Sequence, residues 1–397
     1  MEKIKRGNLR ADELNKQKKQ KRKKISLTVV IALIAVCVLI IGIVVYNSKF
    51  KSYSGYEVAG TTELSNTTGS SYLSYKTGVV KISRDGIEAM NSEGKALWNV
   101  SYNMKDPIAA VCGNYVAVAD RGGTTLIIIN GHGEANTITT LYSIEQVEVA
   151  LQGVTAVLTS DSQENYIDLY SFDSQSSLVT MNTNTNKHGF PVDIALSMDG
   201  TKLITSYIAT DGDAIKNWVT FYSFTDYGEN LSDNTAGSVS FENIIPEIKF
   251  LTNDLICIYK DNGFILYSMK ELPEVVDIQD INGEIESTFT NSSFIGFVVR
   301  GTESDNSKKL VLYDYSGKKQ LEQEIQVSYD KVTMTEDLIV FYSPLTSDLY
   351  NLKGKHLFSS TFSKNVNYIF PTDKSNYLLY VSDTAMERIK LNGTKEE

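Results

Sequence analysis

The chain has 397 residues, 42% of them hydrophobic and 22% charged, a balance that supplies a buried core and excludes general disorder. Its net charge of −10 is divided unevenly: residues 1–24 hold eleven Lys or Arg against Glu2, Asp12 and Glu13, a net of +8, so the remaining 373 residues carry −18. A body that acidic is repelled by phosphate backbones and anionic lipid heads, which excludes nucleic acid as its partner.

In chain order, the first feature is the basic run KQKKQKRKK (16–24), followed by ISLTVVIALIAVCVLIIGIVVY (25–46), which has no charge. At about 1.5 Å per helical residue the second run matches a hydrocarbon core of roughly 30 Å. It is expected to be an uncleaved transmembrane helix, with Ile25, Leu33, Leu39 and Tyr46 in the anchor. Lys21, Arg22, Lys23 and Lys24 form the topology signal that holds the basic flank in the cytoplasm. The competing reading is a secretory signal, whose apolar region is shorter and ends in a small-x-small site; this run leaves through Val45, Tyr46 and Asn47. The expected division is a basic cytoplasmic tail over 1–24, a transmembrane helix over 25–46, a short linker over 47–54 and an extracytoplasmic domain over 55–397. The expected location is the cell membrane, single-pass, with lipid as one partner.

After residue 47 long helical periodicity is absent, and a unit repeats instead. Its clearest copies are IEAMNSEGKALW (87–98), VLYDYSGKKQLE (311–322) and DLYNLKGKHLFS (348–359). The last strand residue before each turn is Met90, Ile129, Tyr170, Tyr222, Tyr267, Tyr313, Tyr350 and Leu391. These lie about 40–50 residues apart, the length of a four-stranded propeller blade. Ahead of each anchor runs a pair of strands with period-two patterning, such as VDIALSMDGTKLITSY (192–207). The last copy (367–393) offers three strands only, and an open sheet edge is an aggregation hazard. GYEVAGTTEL (55–64) is the natural donor of its fourth strand. The expected fold class is all-β, a β-propeller of eight blades with seven as the alternative, preceded by one transmembrane α-helix.

DGIEAMNSEGKALWN (85–99) resembles the repeat of quinoprotein-like propellers, and LSMDGTKLITSY (196–207) resembles the strand-turn-strand of WD-repeat propellers. The layout of basic tail, single helix and degenerate propeller also resembles an uncharacterised Gram-positive, clostridia-type family of membrane-anchored propellers, a domain of unknown function. That resemblance implies fold and location and supplies no activity.

Catalytic motifs are missing. His132, His188 and His356 are isolated, with no HxH, HExxH or CxxC spacing, and there is no GxSxG elbow. Carboxylates cluster in loops at Asp161, Glu164 and Asp168, at Asp211 and Asp213, and at Glu303 and Asp305, without an EF-hand pattern. Quinone enzymes place stacking Trp around their channel, whereas this chain has only Trp98 and Trp218, and Trp98 fills the structural place of the blade motif. Cys112 and Cys257 sit in apolar segments and read as small buried hydrophobes. No catalytic, cofactor-binding or metal residue is therefore assigned, and no cofactor is expected. The expected function is a non-catalytic interaction or scaffold module of the bacterial cell envelope, with an envelope or membrane protein as partner. The alternative is a ligand sensor or enzyme using the central channel, either quinone-dependent or glycan-directed.

Overall fold

The computed structural model describes residues 33–37, 39, 52–65, 69–161, 164–184, 189–211, 214–301, 307–372, 374 and 376–393. The repeats become eight four-stranded antiparallel sheets, which settles the blade number at eight. Blade 1 comprises β2 (Ser71–Tyr75), β3 (Gly78–Ser83), β4 (Gly86–Met90) and β5 (Ala96–Ser101). Blade 2 comprises β6 (Pro107–Cys112), β7 (Tyr115–Asp120), β8 (Thr125–Ile129) and β9 (Ala135–Thr139). Blade 3 comprises β10 (Ser143–Val149), β11 (Thr155–Ser160), β12 (Glu164–Tyr170) and β13 (Ser177–Asn184). Blade 4 comprises β14 (Phe190–Leu196), β15 (Lys202–Asp211), β16 (Ala214–Ser223) and β17 (Thr235–Phe241). Blade 5 comprises β18 (Glu247–Phe250), β19 (Leu255–Lys260), β20 (Gly263–Met269) and β21 (Pro273–Asp280). Blade 6 comprises β22 (Ile285–Thr290), β23 (Phe294–Arg300), β24 (Ser307–Asp314) and β25 (Lys319–Gln326). Blade 7 comprises β26 (Lys331–Met334), β27 (Leu338–Ser343), β28 (Thr346–Asn351) and β29 (His356–Thr361). Blade 8 joins β30 (Val366–Pro371), β31 (Tyr377–Ser382) and β32 (Ala385–Gly393) to β1 (Tyr53–Glu63), in the order β1-β32-β31-β30.

The second and third strands of each blade are the most apolar, because both of their faces are covered by neighbouring blades; β7 (YVAVAD) and β27 (LIVFYS) are almost wholly buried. The fourth strands are polar outside, as in β25 (KQLEQEIQ). Each repeat anchor ends up on the third strand of its blade, and the first seven plug the seam with the blade before them. Ile129 packs on blade 1, Tyr170 on blade 2, Tyr222 on blade 3, Tyr267 on blade 4, Tyr313 on blade 5 and Tyr350 on blade 6. Met90 packs against Leu379, Val381 and Met386 of blade 8, which closes the ring. The anchors also mark a register shift: Met90, Tyr170, Tyr222, Tyr267, Tyr313 and Tyr350 each sit at a bulge against the fourth strand, which increases local twist.

Gly55–Asn392 forms one compact unit, while Met1–Ser54 and Gly393–Glu397 form a second. In the second unit Leu33–Cys37 and Leu39 are helical and exposed. The expected location as a single-pass membrane protein is corrected here. A span needs about 20 apolar residues in one helix, and among the described residues no helix is long and apolar enough to cross a membrane. Of the anchor residues only Leu33 and Leu39 are described; Ile25, Tyr46 and the run Lys21, Arg22, Lys23, Lys24 lie outside the described residues.

Candidate functional site

The first strands of the blades face the ring axis, and in blades 3 to 7 their polar side chains bind the beginning of the next blade. Gln146 on β10 donates from Nε2 to the Val192 carbonyl at 2.7 Å and accepts from the Ile194 N–H at 3.1 Å. Asp193 on β14 accepts from the Ile248 N–H at 2.9 Å. On β18, Glu247 accepts from the Thr288 hydroxyl at 3.2 Å, and Lys249 donates to Thr290 Oγ1 at 2.9 Å. Ser287 on β22 bonds the Tyr329 hydroxyl at 2.9 Å. Lys331 on β26 donates to the Asn367 carbonyl at 3.0 Å, with its ammonium 4.3 Å from the centre of the Tyr368 ring. Tyr368 then meets Tyr72 of blade 1 at 5.5 Å between ring centres. Blade 2 contributes the apolar, half-exposed β6 (PIAAVC) instead.

Among the described carboxyl groups, Glu148 and Asp193 beside the axis are raised furthest. Burial raises Glu148 to about 7, the charge of Asp193 pushes the same way, and Lys249 opposes it. Burial raises Asp193 to about 6 with help from Glu247, while the N–H groups of Ile248 and Ile194 pull it down. Cys112 is raised by burial and by Glu148. Glu148 and Asp193 therefore keep their protons to higher pH than ordinary carboxylates do. Neither was singled out from sequence. One signal was available: VEVAL (147–151), VDIAL (192–196) and PEIKF (246–250) place an acid at the same position in three consecutive repeats.

Among the described residues, those considered from sequence do not converge. His132 is exposed in the β8–β9 turn, and His188, Asp213, Glu303 and Asp305 lie outside the described residues, as do the side-chain surroundings of Asp211. Glu164 accepts from Tyr166 and Asn182, and Asp168 from Thr180, so these carboxylates fasten strands within blade 3. Cys257 is buried and Cys112 half-buried, both as free thiols. His356 brings a constellation that the sequence did not reveal, since Asp348 and Ser359 reach it across β28 and β29. Its Nε2 lies 2.9 Å from Ser359 Oγ and 3.3 Å from Asp348 Oδ1, and Ser359 donates directly to Asp348. A nucleophilic triad needs Asp on one ring nitrogen and Ser on the other; here both crowd one nitrogen at an exposed edge, which is a surface hydrogen-bond cluster. Among the described residues no group of three or more His, Cys, Asp or Glu is placed to hold a metal ion. A cavity of about 800 Å³ lies on blade 1, lined by Lys81, Arg84, Asp85 and Glu88, with both signs of charge mixed.

Residues 49–391 match the model of a family described as a family of unknown function, DUF5711. No curated protein sequence matches significantly. Among solved structures, BamB from Moraxella catarrhalis is similar at 12% identity and a TM-score of 0.53, covering 87% of this chain and 100% of that one. A eukaryotic initiation factor is similar at 12% identity and a TM-score of 0.54, covering 86% of this chain and 89% of that one. Saccharomyces cerevisiae Sqt1 is similar at 10% identity and a TM-score of 0.51, covering 87% and 100%. At these identities the likeness is one of fold.

Proposed function

We propose that this chain, which belongs to the DUF5711 family, is a non-catalytic protein-interaction ring that presents one face to a partner. The observation that carries this reading is the placement of its exposed large apolar side chains. In a four-stranded antiparallel blade, the connections from second to third strand and from fourth strand to the next blade emerge on the same face of the ring. Leu141, exposed at 79%, Phe190 at 64%, and Ile215, Ile244 and Leu345 all lie on or beside connections of that face. Blade 4 adds relief there, since β15 is ten residues long where the second strands of the other blades have six or seven. The opposite face exposes Leu151, Met198 and Leu272 at 49% or less, whereas each of these five is exposed at 50% or more, so the larger uncovered apolar surface is on the first face and marks it as the interaction surface. The axial polar groups, by contrast, are engaged in holding neighbouring blades together.

The test is cross-linking mass spectrometry of the full chain in its native cells, beside the variant L141S/F190S/I244S. The expected result is a defined polypeptide cross-linked to the wild type and lost from the variant. Absence of any protein partner, or its retention by the variant, overturns the reading.

A further inference from the structure

The outer rim of blade 5 differs from the others. β21 is the last strand of its sheet and pairs only with β20. Natural edge strands are usually blunted with charge, as β25 is by Lys319, Glu322 and Glu324. β21 (PEVVDIQD) instead leaves Val275, Val276 and Ile278 exposed at 52%, 45% and 55%.

Its register sorts the side chains into two rows. Val275 pairs with Tyr267 and Ile278 with Ile265, both in the seam with blade 4, so the apolar row looks toward blade 4. Pro273 continues that row and packs against Gly237 of β17. Glu274 and Asp277 pair with Ser268 and Leu266 on the opposite face, toward blade 6, where Asp277 lies against the Gly317 turn. A free ladder edge is therefore flanked by an apolar row on one side and an acidic row on the other.

We infer that the β21 edge takes an extended peptide of a partner protein as a fifth strand of blade 5, one whose residues alternate between β-branched apolar and Lys or Arg. The free N–H and C=O groups of the edge supply the ladder, and the two rows supply the specificity. β21 is bulged at Val276, so an incoming strand of period two sets one residue against Val275 and Val276 together, and its apolar residues then fall beside Val275 and Ile278 and its cations beside Glu274 and Asp277. A second copy of this chain fits worse: antiparallel pairing about a two-fold axis normal to the sheet sets one carboxylate row against another, on a body that already carries −18 outside its first 24 residues. The inference rests on the interaction reading above but uses a different surface, so the two can fail separately.

The probe is a fluorescein-labelled octapeptide of alternating Val and Lys, titrated by anisotropy onto the full chain. Controls are the same peptide with Glu for Lys and the same peptide with alternate amides N-methylated. V275T/I278T keeps β-branched shape at exposed positions, and E274K reverses one exposed charge; equal melting temperatures confirm that both fold. The expected result is saturable binding of the Lys peptide, weakened about tenfold, equivalent to about 1.4 kcal/mol, by each variant, and absent for both control peptides. No binding, unchanged affinity in the variants, or equal binding of the N-methylated peptide overturns the edge site, whatever the face variant does. Wild-type dimers that V275T/I278T abolishes also overturn it, in favour of a second copy.

Discussion

The turn after each anchor shows how single residues set the blade. In blade 7, Asn351 Oδ1 accepts from the N–H groups of Lys353 and Lys355 at 3.0 and 2.9 Å, and Gly354 follows at φ 77°. Asn91, Asn130 and Asp314 repeat the arrangement in blades 1, 2 and 6. The side chain stands in for a backbone turn and the glycine takes a conformation that other residues enter at a cost. Asn351→Ala is expected to lose about 1 kcal/mol in urea unfolding, with Gly354→Ala losing about 1–2 kcal/mol. Glu148 allows a pH prediction. Its folded pKa of about 7 lies above the ordinary 4.5, so between those values the folded chain holds more protons than the unfolded one. Stability therefore falls as pH rises through that window, and the penalty is complete above about pH 7. Glu148→Gln is expected to stabilise the ring by roughly 1–3 kcal/mol at pH 8 and to change little at pH 4, as read by denaturation at both values. Equal effects at the two pH values would count against the buried charge.

Within a blade, the fourth strand is held through a few large contacts. Trp98 on β5 is buried, meets Tyr75 edge-on at 5.6 Å, and donates to its hydroxyl at 3.4 Å, while Tyr75 donates onward to the Asn114 carbonyl of blade 2. One side chain thus fastens its own blade and the next. Trp98→Ala is expected to cost about 3–5 kcal/mol, whereas Leu97→Ala, one residue away and pointing to solvent, is expected to stay within about 0.5 kcal/mol. Thermal melts of the pair make the comparison direct. This part was legible beforehand, because Trp98 stood in the repeat motif and a buried aromatic is required wherever a two-faced sheet must seal.

At the scale of the whole molecule, blade 8 depends on residues from both ends of the chain. β1 covers β32, with Lys390 Nζ 2.7 Å from Glu57 Oε1 along the pairing. Without β1, the buried Met386, Ile389 and Leu391 sit on an open edge. A chain beginning after Glu63, compared with one beginning at Ser52, is expected to self-associate in light scattering and to melt several degrees lower. Identical melting and a monomer in both would show that β1 is dispensable to the ring.

The repeat count and the eight anchors were readable from residues alone, because each blade is a local meander whose contacts lie within about forty residues and whose seams need one large apolar residue per copy. The 25–46 run showed the limit of that method: apolarity and length were read as a membrane span, and the described residues contain no helix that meets the requirement. The axial cluster was out of reach for another reason. Asp193, Glu247 and Lys249 acquire hydrogen-bond partners 41 to 55 residues away, and Glu148 meets the charges of Asp193 and Lys249, only when the first strands converge on the axis. The same holds for β21, whose sequence alternates like any strand. Which of its residues stay in water was decided by how blades 4 and 6 pack beside it, since exposure is a property of neighbours and not of the strand itself.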